Sequence, residues 1–198
     1  VAALILSPDK LTGASIIPHG QTRGYVRMRS TEENEIISAA DMEEQVVVAL
    51  AGAAAEQLVY GTNFLSSSSD FWKALSTIHR MITDLGVYGL DLLCPESDMG
   101  RPVPVSSSIT ERICAKRTEL ICAFSARATA ILEENKPAFH AVAEALCERC
   151  TLSKEEIEEI FQSQWLTNMG VKHNELEQKI IKLRKIRDEL KASQGGAV

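Results

Sequence analysis

Between Val46 and Leu58 the chain is apolar or small at nearly every position, a pattern that predicts a central helix buried almost all round. Its ends are marked. Ser38 is a good N-cap, Asp41, Glu43 and Glu44 suit the positive end of the helix dipole, and Gly61 after Tyr60 is a stop, so the helix should run from Ser38 to Val59. The run Ala53-Ala54-Ala55 lets a neighbouring helix come close. A second helix is predicted over Asp70–Leu85, with Ser66 to Ser69 as its cap and Gly86 as its end. A third, long and amphipathic, spans Ile109–Glu134, with Ile113, Leu120, Ala123 and Ala130 to Leu132 as its apolar positions. Pro137 opens a fourth over Ala138–Cys150, and the capping box Ser153-Lys154-Glu155-Glu156 starts a short fifth through Phe161. Helices joined by short loops describe a compact bundle.

The N-terminal part reads differently. Val1 to Leu6 looks like the last turns of a buried helix stopped by Ser7-Pro8, and an opening on Val1-Ala2-Ala3-Leu4 reads as the apolar end of something already under way, that is, a fragment. Thr12–Pro18 is short and apolar, and Gly24-Tyr25-Val26-Arg27-Met28 alternates like a half-buried strand. The two can pair as a hairpin across His19 to Arg23. A lone hairpin is marginal, so it must lie against helices. Cys94–Ser108, with three prolines, reads as a loop. The fold class expected is therefore mainly α, a helical bundle with one small β-hairpin.

From Lys172 the composition turns polar and charged. Leu176, Ile180, Leu183, Ile186 and Leu190 make one short seam, among basic residues that include Lys179, Lys182 and Arg184. This divides the chain into a domain over 1–168 and a charged helical arm with a flexible tail over 169–198. The arm suits packing on its own domain or a neighbouring subunit, with a partner-binding helix or a membrane-surface helix as the other readings.

The chain has 198 residues and 45% hydrophobic content, enough for one well-buried core, and with aromatics at only 5% that core must be aliphatic. A formal charge of −6 argues against nucleic-acid binding, which needs a basic surface. Five cysteines, Cys94, Cys114, Cys122, Cys147 and Cys150, at irregular spacing do not make a disulfide framework. They read as reduced, helix-packed thiols. Cys147-Glu148-Arg149-Cys150 is a lone C-x-x-C, without the second pair that a structural zinc site requires. No apolar run reaches the roughly 20 residues of a membrane span.

A hydrolytic zinc needs three protein ligands and an open fourth position. The four histidines, His19, His79, His140 and His173, are scattered, and none forms a His-x-x-x-His pair. These residues alone therefore build no such site, and no catalytic residue is assigned within the chain. His79, inside an apolar helix, reads as an interior or boundary residue, His19 as part of a turn, and His140 and His173 as exposed. There is no phosphate loop, no nucleophile elbow and no Ser/His/Asp set. The conspicuous acid is Asp70, which opens a helix just after a serine run. Its plain explanation is a favourable dipole interaction.

Several stretches together resemble the peptidase domain of FtsH-type ATP-dependent zinc metalloproteases. They are Ile16-Ile17-Pro18-His19-Gly20, Gly24-Tyr25, Ala51-Gly52-Ala53-Ala54-Ala55-Glu56-Gln57-Leu58-Val59-Tyr60-Gly61, Leu65-Ser66-Ser67-Ser68-Ser69-Asp70-Phe71 and Met81-Ile82-Thr83-Asp84-Leu85-Gly86. Order and spacing agree from about Val1 to Phe161. The resemblance implies that Asp70 is the third zinc ligand, and that two histidines and a glutamate base from a His-Glu-x-x-His helix precede Val1. It implies that Gly24, Tyr25 and Val26 form an edge strand that takes substrate by strand addition. It further implies an ATPase domain binding ATP and a membrane anchor upstream, a hexameric ring of FtsH-like subunits, and unfolded or membrane proteins as substrates.

Some positions depart from the family pattern. Phe64-Leu65-Ser66-Ser67 replaces Thr-Thr-Gly-Ala, Ala53 and His19 stand where arginines are usual, and Trp72 stands where a charge is usual. Such drift is similar to that of the inactive FtsH-like relatives of plastids. Two functions are therefore expected: a proteolytic subunit of protein quality control, or a pseudoprotease acting as a structural or protein-import component of a plastid membrane complex. Either places the protein on an organellar membrane, the chloroplast before the mitochondrion.

Overall fold

A computed structural model describes residues 1–18, 24–29, 36–89 and 107–168. Helix α1 (Ala2–Leu6) is followed by strands β1 (Leu11–Ser15) and β2 (Tyr25–Met28), helices α2 (Ala39–Tyr60), α3 (Ser68–Thr83), α4 (Ser107–Glu134) and α5 (Lys136–Arg149), strand β3 (Thr151–Ser153) and helix α6 (Lys154–Asn168). The expected mainly helical class holds. None of the described helices is long and apolar enough to cross a membrane. The 169–198 arm, the His19–Arg23 turn, His173 and most of the Pro-rich loop lie outside the described residues.

The chain divides into two units, Val1–Thr12 with Val26–Lys136, and Gly13–Tyr25 with Pro137–Val198. In the first, α2, α3 and α4 pack on one another. Their shared core is Val46, Val47 and Leu50 from α2, Ala74, Ile78 and Ile82 from α3, and Ile113, Leu120, Phe124 and Ala128 from α4. The α4 stripe is shifted from the expected one: Ala123 and Ala130 face solvent, and Phe124 and Ala128 point inward. Only the first half of α2 is deeply buried. Gly52, Gln57, Val59 and Tyr60 are exposed, so the all-round burial expected of this helix is corrected. Small residues gave no polar signal of an outer face, and which of them meet solvent depends on where the neighbouring helices stand.

The helix ends follow local chemistry. Ser38 and Asp41 form a reciprocal capping box, each side chain accepting the other's backbone N–H, and Gly61 closes α2 in the left-handed region at φ 68°. Ser7 donates its hydroxyl to Glu44 at 3.3 Å, tying the end of α1 to α2. After α3, Tyr88 sits at φ 73°, donates its hydroxyl to Glu43 Oε1 at 2.6 Å and has Lys116 Nζ 5.6 Å from its ring centroid. Burial, and then the Glu43 carboxylate, push that hydroxyl's pKa upward.

In the second unit β1 pairs antiparallel with β3, Gly13 opposite Ser153 and Ser15 opposite Thr151. The sheet order is β2-β1-β3, so the two strands expected to pair do so and β3 adds a third that the sequence did not announce. Three residues are too few to announce a strand in a sequence. Ser153 and Glu156 form the predicted capping box, and α6 runs past Phe161 to Asn168. Pro137 is the second residue of α5, where its missing N–H costs no intrahelical bond.

Candidate functional site: a carboxylate held at the start of α3

Asp70 lies in the first turn of α3, with its side chain 46% exposed and its Oδ1 2.9 Å from Lys73 Nζ. What places it is the link from α2. The N–H of Phe64 donates to Glu56 at 2.9 Å, Ser66 Oγ at 3.2 Å and Ser67 Oγ at 2.9 Å, so one carboxylate gathers three donors of the connecting turn. Ser67 also reaches the Phe64 carbonyl, at 2.8 Å. Although Ser67 is the N-cap residue of α3, its side chain caps nothing. The serines' expected role as caps is thus corrected: Ser66 and Ser67 fasten the turn to Glu56.

Glu56 went unnoticed in the sequence. The available signal was an acid one turn before a helix stop and within reach of a hydroxyl run. The Phe64 N–H first holds the Glu56 carboxyl below its ordinary 4.5; burial opposes it, and the Ser67 and Ser66 hydroxyls add to the lowering. A depressed folded-state pKa contributes stability that is present above the ordinary value and lost as pH falls through the lowered one. Amide exchange at Phe64 should therefore lose protection as pH falls below the ordinary glutamate value of 4.5. Glu56→Ala should speed it about five- to tenfold at neutral pH, roughly 1 kcal/mol for solvent-screened bonds. Unchanged exchange in the variant, followed by hydrogen–deuterium NMR, would show that Glu56 does not hold the turn.

The segment that carries Asp70 exposes several apolar side chains. Leu65 is 87% and Trp72 68% exposed, Phe71 is also exposed, and Tyr60 stacks edge-on against Phe64 with centroids 5.5 Å apart. His79 is exposed, where an interior or boundary position was expected. It stands nine residues from Asp70, about two and a half turns, and so on the opposite face of α3. His140 is exposed, as expected. Among the described residues no three His, Cys, Asp or Glu side chains converge on a point. Asp70 suits a zinc site as one oxygen donor, outside any such cluster of three among the described residues.

Gly24, Tyr25 and Val26 are exposed, not half-buried, and β2 ends the sheet order among the described residues. A Cβ on Gly24 would stand 3.1 Å from the Ser15 carbonyl oxygen, so glycine permits the close approach of strand to strand.

Residues 1–160 match the model of peptidase family M41. The chain belongs to that family. Similar proteins include the "ATP-dependent zinc metalloprotease FtsH" of Marinobacter nauticus, 27% identical over 164 residues that make up 78% of this chain and 26% of that protein. The protein of the same description from Syntrophus aciditrophicus is 30% identical over 160 residues, 75% of this chain and 22% of the relative. That of Neorickettsia risticii is 31% identical over 160 residues, 78% and 25% respectively. The chain spans about a quarter of the length of these curated relatives. Within the M41 match lie the Glu56 turn, Asp70 and β2, so the family's peptidase region includes the whole candidate site.

Proposed function

We propose that this chain is the peptidase domain of an FtsH-like, membrane-attached, ATP-dependent zinc metalloprotease, with Asp70 as one metal ligand. The observation that carries the reading is the half-exposed Asp70 carboxylate on the first turn of α3, behind a turn that Glu56 fastens. Its pairing with Lys73 is no obstacle. An exposed i,i+3 ion pair contributes about 0.2–1 kcal/mol, far less than a zinc–carboxylate bond within a complete site. The remaining ligands, two histidines, and the glutamate base are assigned to protein outside these 198 residues. Bound zinc supplies Lewis-acid activation of water and of the scissile carbonyl. The work of this chain is to aim the Asp70 oxygen and to offer the β2 edge, where Gly24, Tyr25 and Val26 would pair with an extended substrate backbone. The rest of this reading is an ATP-binding AAA+ domain and a membrane anchor elsewhere in the protein, hexameric assembly, unfolded or membrane-protein substrates, and an organellar, chloroplast setting.

One observation favours a second reading, a catalytically inactive subunit of a plastid membrane complex. Leu65, Phe71 and Trp72, close to Asp70 in the sequence, are exposed apolar side chains of the kind that contacts between chains use. Zinc content separates the two. The intact protein should carry zinc, and Asp70→Ala should lower its affinity at least about tenfold, as loss of a ligand does. Equal zinc in wild type and variant would refute the ligand role, and an intact protein that binds no zinc would favour the assembly reading.

A further inference from the structure

The four described cysteines, Cys114, Cys122, Cys147 and Cys150, are all free and all exposed, where the sequence suggests packed thiols. Two of them lie together at the end of α5. The helix buries Ala138 and Val142 and half-buries Leu146, so Cys147 stands just outside the packed stripe. Cys150 follows the last helical residue and holds φ 63°, a left-handed position that glycine takes more easily. Its backbone does structural work there. The N–H donates to the Leu146 carbonyl at 2.8 Å, and the carbonyl accepts the Ile16 N–H at 2.9 Å and the Ser15 hydroxyl at 3.3 Å. Glycine would make the same three bonds with less strain, so the sulfur is not there for the fold. Residues three apart in a helix have Cα atoms about 5 Å apart, inside the roughly 4.4–6.8 Å that disulfides span. Cys150 stands past the helix end, where no following turn confines its side chain.

We propose that Cys147 and Cys150 form a surface dithiol site that exchanges with low-molecular-weight disulfides of the glutathione type. One protein thiolate attacks a sulfur of oxidised glutathione. The glutathione S–S bond breaks, a mixed disulfide forms, and the first glutathione leaves as a thiolate that takes up a proton. The second protein thiolate then attacks the protein sulfur of the mixed disulfide, and the second glutathione leaves in the same way. Two protein thiols are oxidised to one disulfide, one glutathione disulfide is reduced to two thiols, and both protons end on glutathione. The bridge closes across the turn whose Cys150 carbonyl receives Ile16 and Ser15.

Cys114 and Cys122 are eight residues apart on α4, about 12 Å along the helix, too far to bridge, and they serve as internal controls. The test uses the intact folded protein in a glutathione redox series, quenched with an alkylating agent and cut with trypsin without reduction. Trypsin cleaves after Arg149, between the two cysteines, so a bridged pair appears as two peptides joined by a disulfide. That species is expected to grow with the oxidised fraction, while Cys114 and Cys122 never join each other. In Cys147→Ser the displacing thiol is gone, and glutathione trapped on Cys150 should rise about tenfold or more over wild type. Full alkylation of Cys147 and Cys150 in oxidising buffer, separate glutathione adducts on each, or no rise in the variant would each overturn the proposal. The result stands or falls independently of whether Asp70 binds zinc.

Discussion

Ile78→Ala is expected to destabilise the first unit by about 2–5 kcal/mol, the range for emptying a large aliphatic site in a packed core. Ile78 is fully buried at 0% exposure, on α3, in one cluster with Val46, Val47 and Leu50 of α2 and with Ile113, Leu120 and Phe124 of α4. A cavity there touches all three helices, so the surroundings cannot collapse by moving one side chain. The change should appear in urea unfolding as a lower midpoint with an unchanged slope. A loss below about 1 kcal/mol would mean that α3 is not held as described. Because the same helix carries Asp70 on its first turn, loosening it from the core also loosens the candidate site. Ile78→Val, which removes one methylene, should cost only about 0.5–1.5 kcal/mol and leave Asp70 in place.

Gly13→Ala should have the next largest effect, about 1–3 kcal/mol, and it should fall on the second unit. Gly13 faces Ser153 in the β1–β3 ladder at φ 157°, and a Cβ built on it would stand 2.7 Å from the Leu152 carbonyl oxygen. The clash is with backbone, so no side chain can swing away; the strands must part or slip. Leu152 is fully buried, which penalises slipping, because a shift of one residue would turn it outward. Circular dichroism during urea unfolding measures the loss, and exchange of the Ile16 amide, which donates to Cys150, reports whether the ladder opened. Stability within 0.5 kcal/mol of wild type would show that the ladder tolerates a side chain there.

These effects reach different elements, and the elements differ in how visible they were beforehand. The α2 cap at Ser38, the stop at Gly61 and the box at Ser153 were readable because each depends on residues within four positions of one another. Strand β3 was not readable, because Thr151–Ser153 becomes a strand only by pairing with Gly13–Ser15, well over a hundred residues away. The exposure of His79 and of the cysteines was missed for a related reason. An apolar helix has an outer face, and which residues occupy it depends on where its neighbours stand. At the candidate site the sequence pointed to Asp70 and to the Gly24–Val26 strand, and it gave the serines a capping role that Ser66 and Ser67 do not perform.

What the amino-acid order determined by itself is the helical class, the ends of most helices, the absence of a His-x-x-x-His pair and the likeness to FtsH-type peptidases that the M41 match bears out. All of these rest on short-range periodicity, local capping bonds or residue identity, none of which needs a distant partner. Tertiary structure alone decided that Glu56 gathers the Phe64 N–H and two hydroxyls, that Asp70 stands half-exposed beside Lys73, and that Cys150 lies left-handed at a strand junction. Each of these depends on how the chain turns between elements or on which surfaces its neighbours cover, and only the folded chain specifies that.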